Sequence, residues 1–228
     1  MKQLVLDIAL PAAPTFDNFV PGRNAELVAA LYALADGAGN ERFFYLWGAD
    51  GSGRSHLLRA VAAAAQRNGR RTVWFDARTK VLDAADDVLC AADDVHLLGV
   101  EAQVALFSLH NRIRGGNGAL LASGNEAPAQ LALRADLVTR LAAGLVYQLH
   151  ALGDEEKSAA LQRHADARGL RLAPEVTAYL LRHARRDMPS LLALLDALDR
   201  YSLETRRAIT VPLLRELLET TDELGLRR

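Results

Sequence analysis

The sequence is poor in several residues whose scarcity is informative. It holds one cysteine, Cys90, which excludes an intrachain disulfide and a zinc site built on cysteines. Lys2, Lys80 and Lys157 are the only lysines among 27 basic residues, a compositional bias that points to no function. Aromatics make up 6% of the chain and hydrophobic residues 50%, the profile of an Ala/Leu-rich, helix-heavy protein. Acidic and basic residues almost cancel, leaving a formal net charge of −1, so no bulk field draws the chain to nucleic acid or anionic lipid. No uninterrupted apolar run reaches the roughly 20 residues that span a membrane. Nor does a charged segment lead a long apolar one, as in a secretory signal. The expected compartment is the cytoplasm, with no membrane partner.

What is present is a regular alternation. Residues 1–8 (MKQLVLDI), Pro11, Pro14 and TFDNFVPG read as an extended arm ending in a turn at Pro21-Gly22. Asn24 is placed to cap a helix over 25–36. Short apolar runs at 43–47, 72–75, 88–92, 119–122 and 145–149 have the continuous character of buried parallel strands. Between them, Leu57, Val61 and Ala64, and later Ala102, Leu106, Leu109 and Ile113, recur at helical spacing. Alternating strands and helices predict an α/β fold, a parallel sheet with helices on both faces. After Gly153 the strands stop. Asp154 is placed to cap a helix to about Arg168, and three more helices follow around Val176, Leu191 and Leu213. The expected organisation is an arm over 1–14, an α/β domain over 15–152 and a helical domain over 153–228.

The chemistry concentrates after the first strand. Gly48-Ala49-Asp50-Gly51-Ser52-Gly53-Arg54-Ser55 has the spacing of a phosphate-binding loop with arginine in place of lysine. Gly48, Gly51 and Gly53 would let backbone N–H groups, including that of Ser52, turn toward a phosphate at a helix N-terminus. The Ser55 hydroxyl would bind Mg²⁺. Arg54 stays charged at any ordinary pH, but its planar fork is bulkier than an ammonium; it would crowd a γ-phosphate and favour a diphosphate. Asp93 and Asp94 close the third strand, where such a fold keeps its second acidic pair: Asp93 for Mg²⁺, Asp94 to orient a water. Asn125, after the fourth strand, could reach the γ-phosphate or that water. The six histidines have no ligand spacing, Ser123 has no recognisable histidine–acid partner, and Cys90 reads as a small hydrophobe in the sheet.

TFDNFVPGRN (15–24), LWGADGSGRSHLL (46–58), DDVHLL (93–98), LLASGNEAP (120–128), DLVTRLAAGL (136–145) and LLDALDRYSLE (194–204) together resemble the AAA+ replication-initiator group, over nearly the whole chain. The resemblance implies an AAA+ sheet followed by a helical lid, and ADP or ATP with Mg²⁺ as ligands. It makes Phe19, Val20, Pro21 and Gly22 part of an adenine pocket, with His56 beside the phosphate-binding loop. It makes Arg140 an arginine finger supplied to a partner's phosphoryl group; pairing with Asp136 is the structural alternative. It also casts Gln3, Leu4, Leu6 and Ile8 as a peptide for the DNA polymerase sliding clamp (β subunit), with Asp7 an unusual charge inside it.

Two further features shape the expected function. The position that carries a nucleotide-sensing arginine in such lids is Pro189, so either Arg185 or Arg186 substitutes or lid sensing is lost. The group's DNA-reading helix-turn-helix has no counterpart, so no direct sequence-specific DNA binding is expected. The resulting expectation is an ADP-bound regulator on the clamp that docks on the initiator DnaA and promotes hydrolysis of its ATP. Its rivals are an autonomous ATPase such as a helicase loader, and a DNA-binding module. Homo-oligomerisation stays open.

Overall fold

The computed structural model describes residues 13–79 and 85–220. They divide into two units, Pro14–Ala151 and the residues from Leu152 onward. The first unit runs α1 (Ala25–Asp36), β1 (Phe43–Trp47), α2 (Arg54–Arg67), β2 (Thr72–Phe75), β3 (Leu89–Ala92), α3 (Val100–Gly115), β4 (Ala119–Gly124), α4 (Ala135–Ala142) and β5 (Leu145–Gln148). All pairings are parallel, in the order β2-β3-β4-β1-β5. Apolar runs bounded by Gly, Asp or Asn become central strands because both faces are covered. Leu31, Leu57 and Val61 cover one face, and Leu106, Ile113 and Leu137 the other. Cys90 lies fully buried in β3, where its thiol is pushed up to about 12 by burial.

Some boundaries differ from expectation. β4 extends to Gly124, carrying Ser123 inside the strand, and β5 ends at Gln148. Asn24 does not cap α1. Its amide instead donates to the carbonyls of Pro21 (3.0 Å) and His150 (2.9 Å) and accepts from the His150 N–H (2.9 Å). A side chain that can serve two backbone segments is worth more there than at a helix end that solvent can also satisfy.

The second unit is helical: α5 (Asp154–Ala167), α6 (Pro174–His183), α7 (Met188–Thr205) and α8 (Val211–Thr220). Their apolar stripes meet in one core built on Leu161, Leu180, Leu194, Leu198, Leu213 and Leu217. Asp154 is the first residue of α5 rather than its cap, which is Gly153; Glu156 accepts from the Gly153 N–H at 2.8 Å. Asp187 caps α7 by accepting from the Ser190 N–H at 2.9 Å, and Pro189 occupies the first turn, where it needs no donor. Arg186 is engaged by Asp154, and Arg185 pairs with Asp187 at 3.3 Å.

The Asn24 bridge generates a test. It is buried and makes three bonds to backbone, so Asn24→Ala should destabilise the α/β unit by about 2–3 kcal/mol. Urea denaturation of the full chain reads this. A change below about 0.5 kcal/mol would mean that water replaces the bridge.

Candidate functional site

The strand order decides which segments meet. β1 lies between β4 and β5, and β3 lies beside β4, so the carboxyl ends of β3, β4 and β1 converge in the crevice where open parallel sheets bind ligands. The Gly48–Ser55 loop leaves β1 there and enters α2. Gly48 is required by close approach: an added Cβ would lie 2.4 Å from the Leu149 carbonyl. Gly53 is required twice over. Its φ is +102°, and a Cβ would lie 2.8 Å from the Phe19 ring.

Thr15 and Phe19 therefore pack against this loop and the start of α2. Phe19 lies 5.4 Å from the His56 ring, and His56 Nε2 sits 2.9 Å from the Thr15 carbonyl, an acceptor that places the ring proton on Nε2. Burial pushes the His56 pKa down, against this bond. Val20 is half-buried, while Pro21 and Gly22 are exposed at the turn into α1. The structure thus brings Phe19, Gly53 and His56 together.

Ser52 is 7% exposed, and its Oγ has no hydrogen-bond partner among the described residues. Such a buried hydroxyl is costly unless a ligand oxygen meets it, so the loop fits a phosphate. Arg54 behaves differently from a phosphate-reaching lysine. Its guanidinium, 7% exposed, curls back to donate to the Gly48 carbonyl, to Asp50 (3.2 Å) and to Asp94 (3.0 Å). Ser55 is half-buried in the first turn of α2.

The two acids are held by Ser123, which sequence reasoning weighed only as a nucleophile. Ser123 Oγ donates to Asp93 at 2.6 Å and accepts from the Asp94 N–H at 3.0 Å. Its only signal is a hydroxyl in the otherwise apolar strand ALLASG, and a partner 30 positions away in sequence has no spacing to reveal it. Asp93 is 8% exposed, with one oxygen committed to Ser123; with Ser55 it offers an all-oxygen donor set suited to Mg²⁺. Asp94 adopts φ +48°, an uncommon conformation for a residue with a Cβ. A cavity of about 290 Å³ opens beside the acids, walled also by Trp74, Asp76 and Arg78. Asn125 is exposed, just past the Gly124 carbonyl that accepts from the Gly48 N–H at 3.4 Å.

Arg140 stands apart, on α4. Its guanidinium lies 5.7 Å over the Phe107 ring. Asp136, its alternative partner, is taken by Arg134 at 2.8 Å, and among the described residues Arg140 makes no ion pair. Nearby His110 is buried against Phe43, with ring centroids 4.6 Å apart. Burial first, then Arg140 and Arg114, push its pKa down to about 4. The clamp-peptide candidates Gln3, Leu4, Leu6 and Ile8 lie outside the described residues.

His110 gives a pH test. The unfolded imidazole titrates near 6.5 and the folded one near 4, so between these values the unfolded chain binds more protons. The His110 contribution to stability is complete above about pH 6.5 and is lost as the pH falls toward 4. His110→Phe should flatten the pH dependence of stability within that window, as read by denaturation midpoints. An unchanged slope would show that the ring titrates alike in both states.

Two family models match separate stretches of the chain, whereas the similar solved structures span most of it. A family model described as Hda, lid domain, matches residues 154–218, and one described as bacterial DnaA ATPase domain matches 10–88. Domain III of the Thermotoga maritima replication initiation protein DnaA is similar in fold, with a TM-score of 0.73 at 20% identity over 93% of this chain and 98% of that one. AMPPCP-bound DnaA from Aquifex aeolicus gives 0.66 at 20% identity over 86% and 71%. A Thermotoga maritima RuvB mutant gives 0.66 at 14% identity over 92% and 73%. Among the described residues no helix is long and apolar enough to cross a membrane. Residues 10–88 are thus similar to the bacterial DnaA ATPase domain and residues 154–218 to the Hda lid domain, in a fold shared with DnaA domain III.

Proposed function

We propose that the chain is an ADP-binding regulator that acts in trans on DnaA. Held on the sliding clamp by residues 3–8, it promotes hydrolysis of DnaA's ATP and so prevents re-initiation of DNA replication. The observation that carries this reading is Arg140, a cation without a carboxylate partner among the described residues, braced on an aromatic ring. A finger for another protein's phosphoryl group must be charged, positioned and uncommitted. The DnaA-type fold and the Hda lid match support replication regulation as the setting.

On this reading residues 1–14 are a clamp-binding arm, 15–152 the nucleotide domain and 153–228 the lid. Phe19, Val20, Pro21 and Gly22 face the adenine with His56 behind them. Gly48, Gly51, Ser52 and Gly53 cradle the phosphates through backbone N–H groups, and Asn125 borders the terminal phosphate. Ser55 and Asp93 would hold Mg²⁺, which supplies charge neutralisation at the phosphates when bound. Asp94 is the water-orienting acid, and its pairing with Arg54 favours a resident nucleotide over rapid turnover. The runner-up, an autonomous ATPase such as a helicase loader, would need Asp94 disengaged from Arg54.

Two outcomes are expected. Arg140→Ala should retain nucleotide and clamp binding but reduce stimulation of DnaA's ATPase by at least 100-fold; normal stimulation would assign the finger elsewhere. Leu6→Ala should weaken clamp binding by about 2 kcal/mol or more, as for an interface anchor, with little change in melting temperature. A sharp fall in melting temperature with clamp binding intact would make residues 3–8 a structural strand instead.

A further inference from the structure

Resting on the proposed nucleotide site, we infer that Asp94 is the residue that sets the preference for a diphosphate, by competing with a third phosphate for Arg54. The guanidinium is a two-ended fork. One end donates to the Gly48 carbonyl, the other to Asp94 at 3.0 Å and Asp50 at 3.2 Å. The two acids differ in effect. Asp50 is 97% exposed and screened by water, whereas Asp94 is 35% exposed beside a cation that is 7% exposed; the buried cation depends on Asp94 for neutralisation. Arg54 Nε is buried and has no partner among the described residues.

A diphosphate in the loop can take that free Nε–H and leave the Arg54–Asp94 pair standing. A third phosphate adds negative charge next to the Asp94 carboxylate and must draw the same fork end away from it. Doing so leaves Asp94 without its cation, and like charges a few ångströms apart in a partly buried site repel. Asp94 cannot readily move aside. Its N–H is held by Ser123 Oγ, which also holds Asp93, and its backbone has turned to φ +48°. The chain Arg54–Asp94–Ser123–Asp93 thus links the residue at the phosphates to both acids. Steric crowding by Arg54 alone would give a preference independent of Asp94, which separates the two causes.

Calorimetry on the nucleotide-stripped full chain, with Mg²⁺, would compare ADP with AMPPCP, whose bridging methylene prevents hydrolysis, so the readout is affinity alone. The wild type should prefer ADP. Asp94→Asn should narrow the ADP-to-AMPPCP ratio by about tenfold, the scale expected for removing one unit charge at such range. Asp94→Gly, which suits the left-handed backbone, should do the same, while Asp50→Asn should change the ratio less than about twofold. Nucleotide binding with a ratio unchanged in both Asp94 variants would overturn the competition and leave the nucleotide site intact. A wild type that binds neither nucleotide would overturn the nucleotide site and the competition with it.

Discussion

A guanidinium lies almost wholly buried at the carboxyl end of a parallel sheet, and its neighbours are arranged around that charge. Arg54 needs a counter-charge because burying an unpaired cation is prohibitive, and Asp94 supplies it at 3.0 Å. Asp94 can do so only because Ser123 holds its backbone in a turn, and Ser123 is in place only because β4 lies between β3 and β1. One ionic contact thus ties the glycine-rich loop, the acidic strand end and the strand between them into a single unit. In a site with lysine at this position, a flexible point charge could serve the phosphate and an acid by turns; the planar fork commits its ends to fixed partners.

That commitment bears on function. An efficient ATPase keeps its water-orienting acid available, whereas here the candidate acid is engaged by the chain's own loop. Arg140, by contrast, rests on the Phe107 ring with no carboxylate among the described residues. The neighbouring imidazole of His110 is held neutral well below physiological pH by burial and by Arg140 itself. The two arginines therefore have opposite electrostatic settings: one is neutralised inside the molecule, the other has no carboxylate partner among the described residues.

The sheet and its helices were legible because both carry strong local signals. Phe43–Trp47 and Leu89–Ala92 are unbroken apolar runs closed by glycine or aspartate, and the Leu106, Leu109 and Ile113 stripe has a clear helical period. The glycine-rich loop Gly48–Ser55 between β1 and α2 was legible from spacing alone. What escaped were side-chain destinations. Asn24 resembles a helix cap until the fold brings His150, 126 positions away, within reach. Ser123 is silent until β3 pairs with β4. Arg54 points, by sequence, at a phosphate, and only the folded loop reveals that its fork returns to Gly48 and Asp94. Each of these depends on partners distant in sequence, where local pattern holds no information.

Catalysis of a partner's hydrolysis rather than the chain's own would be read by placing a labelled nucleotide on one protein at a time. Radiolabelled ATP would be loaded on DnaA or on this chain before mixing in the presence of DNA-loaded clamp, and conversion to ADP followed over a single turnover. Rapid conversion of the label on DnaA and persistence of the label on this chain are expected. Rapid conversion of the chain's own ATP, with that of DnaA unchanged, would contradict the proposed function.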